Sequence, residues 1–169
     1  IYPALQRATS AFEQVHEEAT CDSVLSAIAE LRGKAHRVTD RRALDLLEVV
    51  VARRAAKVKN QPQEHARRAL QRLQDAARNS FLPGEPALLA QLLASLGAIE
   101  DGALAAEQRR QLRALHATNA PTDADGLAIA RWFAELEWRY DQHDAAIHEL
   151  RAAIDAYRRA QGTLDAVAD

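Results

Sequence analysis

Almost every segment of this 169-residue chain carries apolar residues three and four positions apart. This spacing places apolar side chains on one face of an α-helix, and the two-residue alternation of a β-strand occurs nowhere at useful length. Eight such stripes follow one another, over residues 5–15, 24–31, 46–58, 66–77, 88–99, 104–115, 129–140 and 146–157. The sequence therefore predicts an all-α protein of roughly eight amphipathic helices.

The breaks between the stripes hold residues that end or begin helices. Pro62, Pro83 and Pro121 stand there, where a missing N–H and a fixed φ do not disturb a helix. Composition agrees, because alanine and leucine dominate while aromatic residues make up only 5% of the chain. Short connections make neighbouring helices antiparallel, which predicts four helical hairpins at about 3–37, 41–79, 84–117 and 123–160, with 163–169 as the start of a further helix.

The hairpins recur at a regular interval. Their first helices begin near residues 3, 41, 84 and 123, which is a spacing of about 40 residues. A helix–turn–helix unit with such a period is the signature of an α-solenoid, whereas a compact helical bundle, the alternative, needs no repeat. We expect the solenoid, formed as a single helical-repeat domain over 1–169.

The last hairpin alternates large and small residues in a specific way. Phe133 and Ala134 form a large–small pair in the middle of its first helix, and Asp141 stands in the turn. The second helix continues the alternation at Ala146, Ile147, Leu150, Ala153 and Ile154. In these positions the hairpin resembles the tetratricopeptide repeat (TPR), which implies a right-handed α-solenoid. Glu137 replaces the family's usual tyrosine, and the unit is longer than the usual 34 residues, as in repeats of bacterial regulatory proteins.

The resemblance also implies where a partner would bind. In proteins of this family the first helix of each unit lines a concave groove, and the matching positions here are Arg131, Glu135, Trp138 and Arg139. Tryptophan and arginine are the usual anchors of partner binding. For Trp138 a role in the groove and a role in packing both stay open, while Trp132 is expected to pack in the core or between repeats. The acidic Glu135 differs from the all-cationic groove with which some relatives hold peptide carboxylates.

The expected role is therefore that of a non-catalytic protein-interaction or sensory module. It would bind a protein or peptide partner, a helix, or a second copy of itself, since the end hairpin of a solenoid presents an apolar face. Proteins that look like this often carry such repeats beside a bacterial signalling output domain. The chain begins with Ile1 and has no methionine, so we expect it to be part of a longer protein.

Charge suggests one alternative function. The net charge is only −2, yet residues 49–80 are rich in arginine and lysine. Candidate nucleic-acid contacts in this segment are Arg53, Arg54, Lys57, Arg67, Arg68 and Arg72. Nucleic-acid binding rests on phosphate neutralisation, often with aromatic stacking, and the segment has no aromatic residue. A solvated helix surface is therefore favoured over nucleic-acid binding.

Catalytic and metal-binding motifs are missing from the sequence. Glu13 and His16 form one Glu-x-x-His pair, but a di-iron bundle needs two such pairs and further carboxylates. His143 and His148 do not have the spacing of zinc ligands. No phosphate-binding loop or nucleophile motif occurs, so we expect no enzyme activity, no cofactor and no metal. The most apolar window, 87–99, is too short to cross a membrane.

Overall fold

The computed structural model describes residues 18–78 and 83–168, and the fold in these ranges is all-α, as predicted. The helices are α1 (Glu18–Lys34), α2 (Val38–Lys59), α3 (Pro62–Arg78), α4 (Glu85–Ser95), α5 (Gly102–Thr118), α6 (Ala124–Arg139) and α7 (His143–Ala168). The helix predicted over 5–15 lies outside the described residues. None of the seven described helices is both long and apolar enough to cross a membrane.

The chain divides into two compact units. Unit 1 comprises 1–80 with 99–104, and its described helices are α1, α2 and α3. Unit 2 comprises 81–98 with 105–169, and holds α4, most of α5, α6 and α7. Buried apolar side chains occur in both units, while the single domain over 1–169 stays a prediction.

In unit 1 the three helices run up, down and up. Helix α2 packs against both α1 and α3. Lys59 at the end of α2 pairs with Asp22 near the start of α1, and Arg32 near the end of α1 lies 2.6 Å from Asp45 near the start of α2. The first two helices are therefore antiparallel. Asn60, which has a left-handed φ of 54°, ends α2. Helix α3 then begins two residues later, at Pro62.

The core of unit 1 is built on α2, which has neighbours on two sides. Its buried residues are Leu46, Val49, Val50, Val51, Ala52 and Ala55, together with three charged side chains. The alanines allow close approach of the helix axes, and the valines and Leu46 fill the space between them. Burial of each large side chain contributes about 1.5–3 kcal/mol to stability.

In unit 2 helix α6 packs against both α4 and α7. Its start is defined by Asp123, whose side chain accepts a hydrogen bond from the backbone N–H of Gly126 at 2.8 Å. The core consists of Leu89 and Leu93 from α4, Leu112 from α5, and Ile129 and Leu136 from α6, all at most 1% exposed.

Helix α7 is longer than the sequence pattern indicates. A break was expected near Gly162 and a new helix from 163, but α7 continues from His143 to Ala168 without interruption. A single glycine weakens a helix by about 1 kcal/mol and does not end it when helix-forming residues follow. Gly162 has no close neighbour that would require its missing side chain.

Gly126 is the position in unit 2 where an added methyl group has no room. A Cβ there would lie 2.0 Å from the carbonyl oxygen of Ala120 and 3.0 Å from the Cα of Pro121, both backbone atoms. We expect Gly126→Ala to lower the free energy of unfolding by about 1–3 kcal/mol, because the backbone must shift. Gly162→Ala is the matched control, with an expected gain of about 0.5–1 kcal/mol. Urea denaturation followed by circular dichroism measures both, and equal effects would contradict the prediction.

Candidate functional site

The outer face of α6 carries the four residues predicted to contact a partner. Arg131, Trp138 and Arg139 are exposed, and Glu135 is partly exposed. Arg131, Glu135 and Trp138 are spaced four and three residues apart and therefore share one side of the helix. The opposite side of α6 is buried, so the helix presents a single accessible face.

Trp138 is the largest exposed side chain on this face. It is 50% exposed, and its ring centroid lies 4.1 Å from that of His143 at an interplanar angle of 41°. The imidazole belongs to the first residue of α7, so the contact spans the turn at Tyr140 and Asp141. Half of the indole is left accessible to a partner, while the contact with His143 restricts its rotamers.

Arg139 and Glu135 are tied to each other and to α4. One guanidinium nitrogen of Arg139 donates to the carbonyl oxygen of Ala94 at 2.7 Å, and the other donates to Glu135 at 2.5 Å. The carbonyl lies in the last turn of α4, where it also accepts from the backbone N–H of Gly97 at 3.1 Å. Arg139 thus joins α6 to α4 and neutralises Glu135, a role that sequence spacing alone does not reveal.

Arg131 stays available for a partner. Its guanidinium lies over the ring of Trp132, 4.7 Å from the centroid, in a cation–π contact. Within residues 18–78 and 83–168 no carboxylate lies within ion-pair distance of it. Trp132 itself is partly exposed, so it does not lie in the core, while its packing between repeats stays a prediction.

Beneath the exposed face, a buried ion pair links α6 to α5. Glu137 is only 4% exposed and accepts two hydrogen bonds from Arg109, at 2.9 and 2.7 Å. Arg109 also lies over the ring of Tyr140, 5.5 Å from its centroid. The hydrogen bond with Glu137 raises the pKa of the guanidinium. The pair gives Glu137 a buried structural role between α6 and α5.

A second buried contact involves a glutamine that the sequence analysis did not single out. The side-chain amide of Gln108 donates to the carbonyl oxygens of Leu93 at 2.8 Å and Gly97 at 2.9 Å, and its oxygen accepts from the Tyr140 hydroxyl at 2.6 Å. Gln108 is fully buried. The sequence did contain a signal for this role, because Gln108 lies on the apolar stripe between Leu104 and Leu112. A polar residue at such a position needs buried hydrogen-bond partners.

Two of the candidate cations in the basic segment lie against a buried acid. Arg68 and Arg72 both lie against Glu48, at 3.5 and 3.0 Å, and Arg32 approaches the same carboxylate to 2.6 Å. Glu48 is 5% exposed, so these arginines neutralise a buried acid. Nearby, burial raises the pKa of Asp45 despite its contact with Arg32.

The other four candidates divide by exposure. Arg53 and Arg54 are partly buried on α2, while Lys57 and Arg67 are exposed. Arg68 and Arg72 are brought together around the buried carboxylate of Glu48. Among the described residues, no three histidine, cysteine, aspartate or glutamate side chains are grouped so as to hold a metal ion.

The Arg109–Glu137 pair predicts an asymmetric effect of mutation. Arg109→Ala leaves a buried carboxylate without its cation, and we expect it to lower the free energy of unfolding by about 3 kcal/mol, at the lower end of the range for buried pairs. Glu137→Gln removes the charge and should cost less.

Urea denaturation followed by tryptophan fluorescence measures this effect, since both tryptophans lie in unit 2. Arg110→Ala is the matched control, because Arg110 makes a similar bidentate contact with Glu107 at the exposed surface, and little change is expected. Equal losses for Arg109→Ala and Arg110→Ala would show that the buried pair does not stabilise the α5–α6 contact.

Comparison of the chain with protein-family models, with curated proteins and with solved structures gives no match. The function is therefore inferred from the exposed face of α6 and the buried contacts that hold this helix in place.

Proposed function

We propose that the chain is a TPR-like helical-repeat module of a larger, bacterial signalling protein, without catalytic activity, and that it binds a peptide or a partner helix through α6. The binding residues are Arg131, Glu135, Trp138 and Arg139. One observation carries this proposal: Trp138 is half exposed and held against His143, on a helix whose other side is fixed by buried contacts. Rigid, partly exposed tryptophans are frequent anchors in protein interfaces.

The contacts around α6 support the repeat architecture. Helix α6 packs against α4, and its Glu137 pairs with Arg109 of α5. The first helix of the last hairpin thus contacts both helices of the hairpin before it, which is the nearest-neighbour arrangement that a solenoid requires. The turn of the last hairpin also fits, because Asp141 has a left-handed φ of 58° at the position where TPR units often have glycine.

The charges on α6 indicate which kind of partner fits. Glu135 and Arg139 neutralise each other, so they offer a partner hydrogen-bonding atoms but little net charge. Arg131 is the cation left for an acidic group, and Trp138 offers an apolar surface. The partner is therefore an amphipathic peptide that places an acidic residue near an apolar one. Nucleic-acid binding has less support, because Arg68 and Arg72 are engaged by Glu48.

Selection of a displayed random-peptide library on the whole chain tests this proposal. We expect peptides that combine apolar and acidic residues, with affinity that falls at least tenfold in Trp138→Ala, as for an anchor worth about 2 kcal/mol. Leu31→Ala is the matched control, because Leu31 is also a large exposed apolar residue, 54% exposed, but lies in unit 1.

Far-UV circular dichroism must show that both variants keep their helices. Peptides that bind Trp138→Ala as tightly as the original chain would place the interaction elsewhere. A selection that enriches nothing would remove the support for a peptide-binding groove. The nucleic-acid alternative would be favoured instead if the chain bound an unrelated DNA or RNA oligonucleotide with a steep salt dependence, and if Lys57→Ala and Arg67→Ala abolished that binding.

A further inference from the structure

Groups from all three described helices of unit 1 are electrostatically coupled around one end of the α1–α2 pair. Lys59, the last residue of α2, pairs with Asp22 near the start of α1. The charges of Lys59 and Asp22 act on both Cys21 of α1 and His65 of α3. Arg32 and Asp45 form their ion pair at the other end of α1 and α2. Unit 1 thus has two differently built ends.

His65 occupies a core position of α3. It lies four residues before Ala69 and eight before Leu73, in line with the buried face of the helix, and it is 4% exposed. Neither ring nitrogen has a hydrogen-bond partner. A neutral imidazole always carries one donor and one acceptor, so both are left unsatisfied in a site that an apolar side chain would fill without this loss.

The surroundings of His65 oppose its protonation. Burial lowers the pKa of the imidazole, and the positive charges of Arg68 and Lys59 act in the same direction. The carboxylates of Glu64 and Asp22 act in the opposite direction, but Asp22 is engaged by Lys59. Because Asp22 and Lys59 are paired, their effects on His65 oppose each other, and burial is the main obstacle to a proton on the imidazole.

We propose that His65 makes this end of unit 1 acid-sensitive: as the pH falls below neutrality, protonation of His65 opens this end and exposes Cys21, which is buried there. The ligand of this site is a proton. The acid-sensitive end belongs to unit 1 and is separate from the partner-binding face of α6, which belongs to unit 2. The cluster of Arg32, Arg72 and Glu48 keeps α2 joined to its neighbours, so that the opening is local.

The direction of the pH effect follows from proton linkage. Above the ordinary histidine pKa of about 6.5, His65 is neutral in the closed and the open form, and it contributes no pH dependence. Below that value the open form binds a proton that the closed form resists, so stability is lost as the pH falls and levels off below the lowered pKa of the closed form. Cys21 stays a neutral thiol throughout, because burial raises its pKa.

Cys21 supplies a local readout, because it is the single cysteine of the chain and is fully buried. The full chain is labelled with 4,4′-dithiodipyridine, a disulfide that reacts with thiols in mildly acidic solution, between pH 7.5 and 5. Each rate is divided by the rate for the urea-unfolded chain at the same pH, which removes the intrinsic pH dependence of the reagent and the thiol. We expect the normalised rate to rise by up to tenfold per pH unit below about 6.5.

In His65→Gln and His65→Leu the normalised rate should stay constant with pH, because neither side chain takes up a proton. His143→Gln is the matched control, since His143 is exposed and lies in unit 2, and it should keep the pH dependence of the original chain. A flat profile in the original chain, or the same rise in the His65 variants, would overturn the proposal.

A second measurement does not depend on the variants being folded. The imidazole C2 proton of His65 in the original chain is titrated by NMR, and its midpoint should lie clearly below 6.5, while that of an exposed histidine does not. A midpoint at or above 6.5 would also overturn the proposal. Peptide selection on α6 is read out separately, so failure of either proposal leaves the other testable.

Discussion

A buried glutamate in each unit is the constraint on which the helix packing depends. Glu48 of α2 is surrounded by arginines from α1 and α3, and Glu137 of α6 accepts both hydrogen bonds of Arg109 from α5. A carboxylate removed from water is costly unless a cation lies beside it, so any other register of the neighbouring helices would leave a charge unpaired. We infer that these two acids select one alignment among the many that alanine- and leucine-rich helices would tolerate.

The helices themselves could be predicted from the sequence because their signals are local. Pro62, Asp123 and Asp141 mark ends that depend only on backbone dihedrals and capping bonds within a few residues. Gly162 misled the prediction, since a glycine that contacts nothing only weakens a helix. The repeat period does not determine how the hairpins are arranged in space, and that arrangement rests on contacts between residues far apart in the chain.

The candidate site could be predicted only in part, for the same reason. Trp138, for which the sequence leaves a groove role and a packing role open, is half exposed on α6. The position of a residue on its helix cannot indicate that Arg139 donates a hydrogen bond to the carbonyl of Ala94, 45 residues earlier, or that Arg72 is neutralised by Glu48. Counting charges along a segment therefore overestimates its free cationic surface whenever a buried acid lies opposite.

The end of α4 has a consequence for the order in which unit 2 can form during synthesis. This helix has 11 residues, and the carbonyl groups of Leu93, Ala94 and Gly97 at and just beyond its end are satisfied by Gln108 and Arg139. Leu93 and Ala94 also accept from the backbone N–H groups of Leu96 and Gly97, but such a short isolated helix is marginal in water. A nascent chain that has left the ribosome only as far as α4 lacks the side-chain donors, so we expect α4 to gain its full stability only after α6 has been translated.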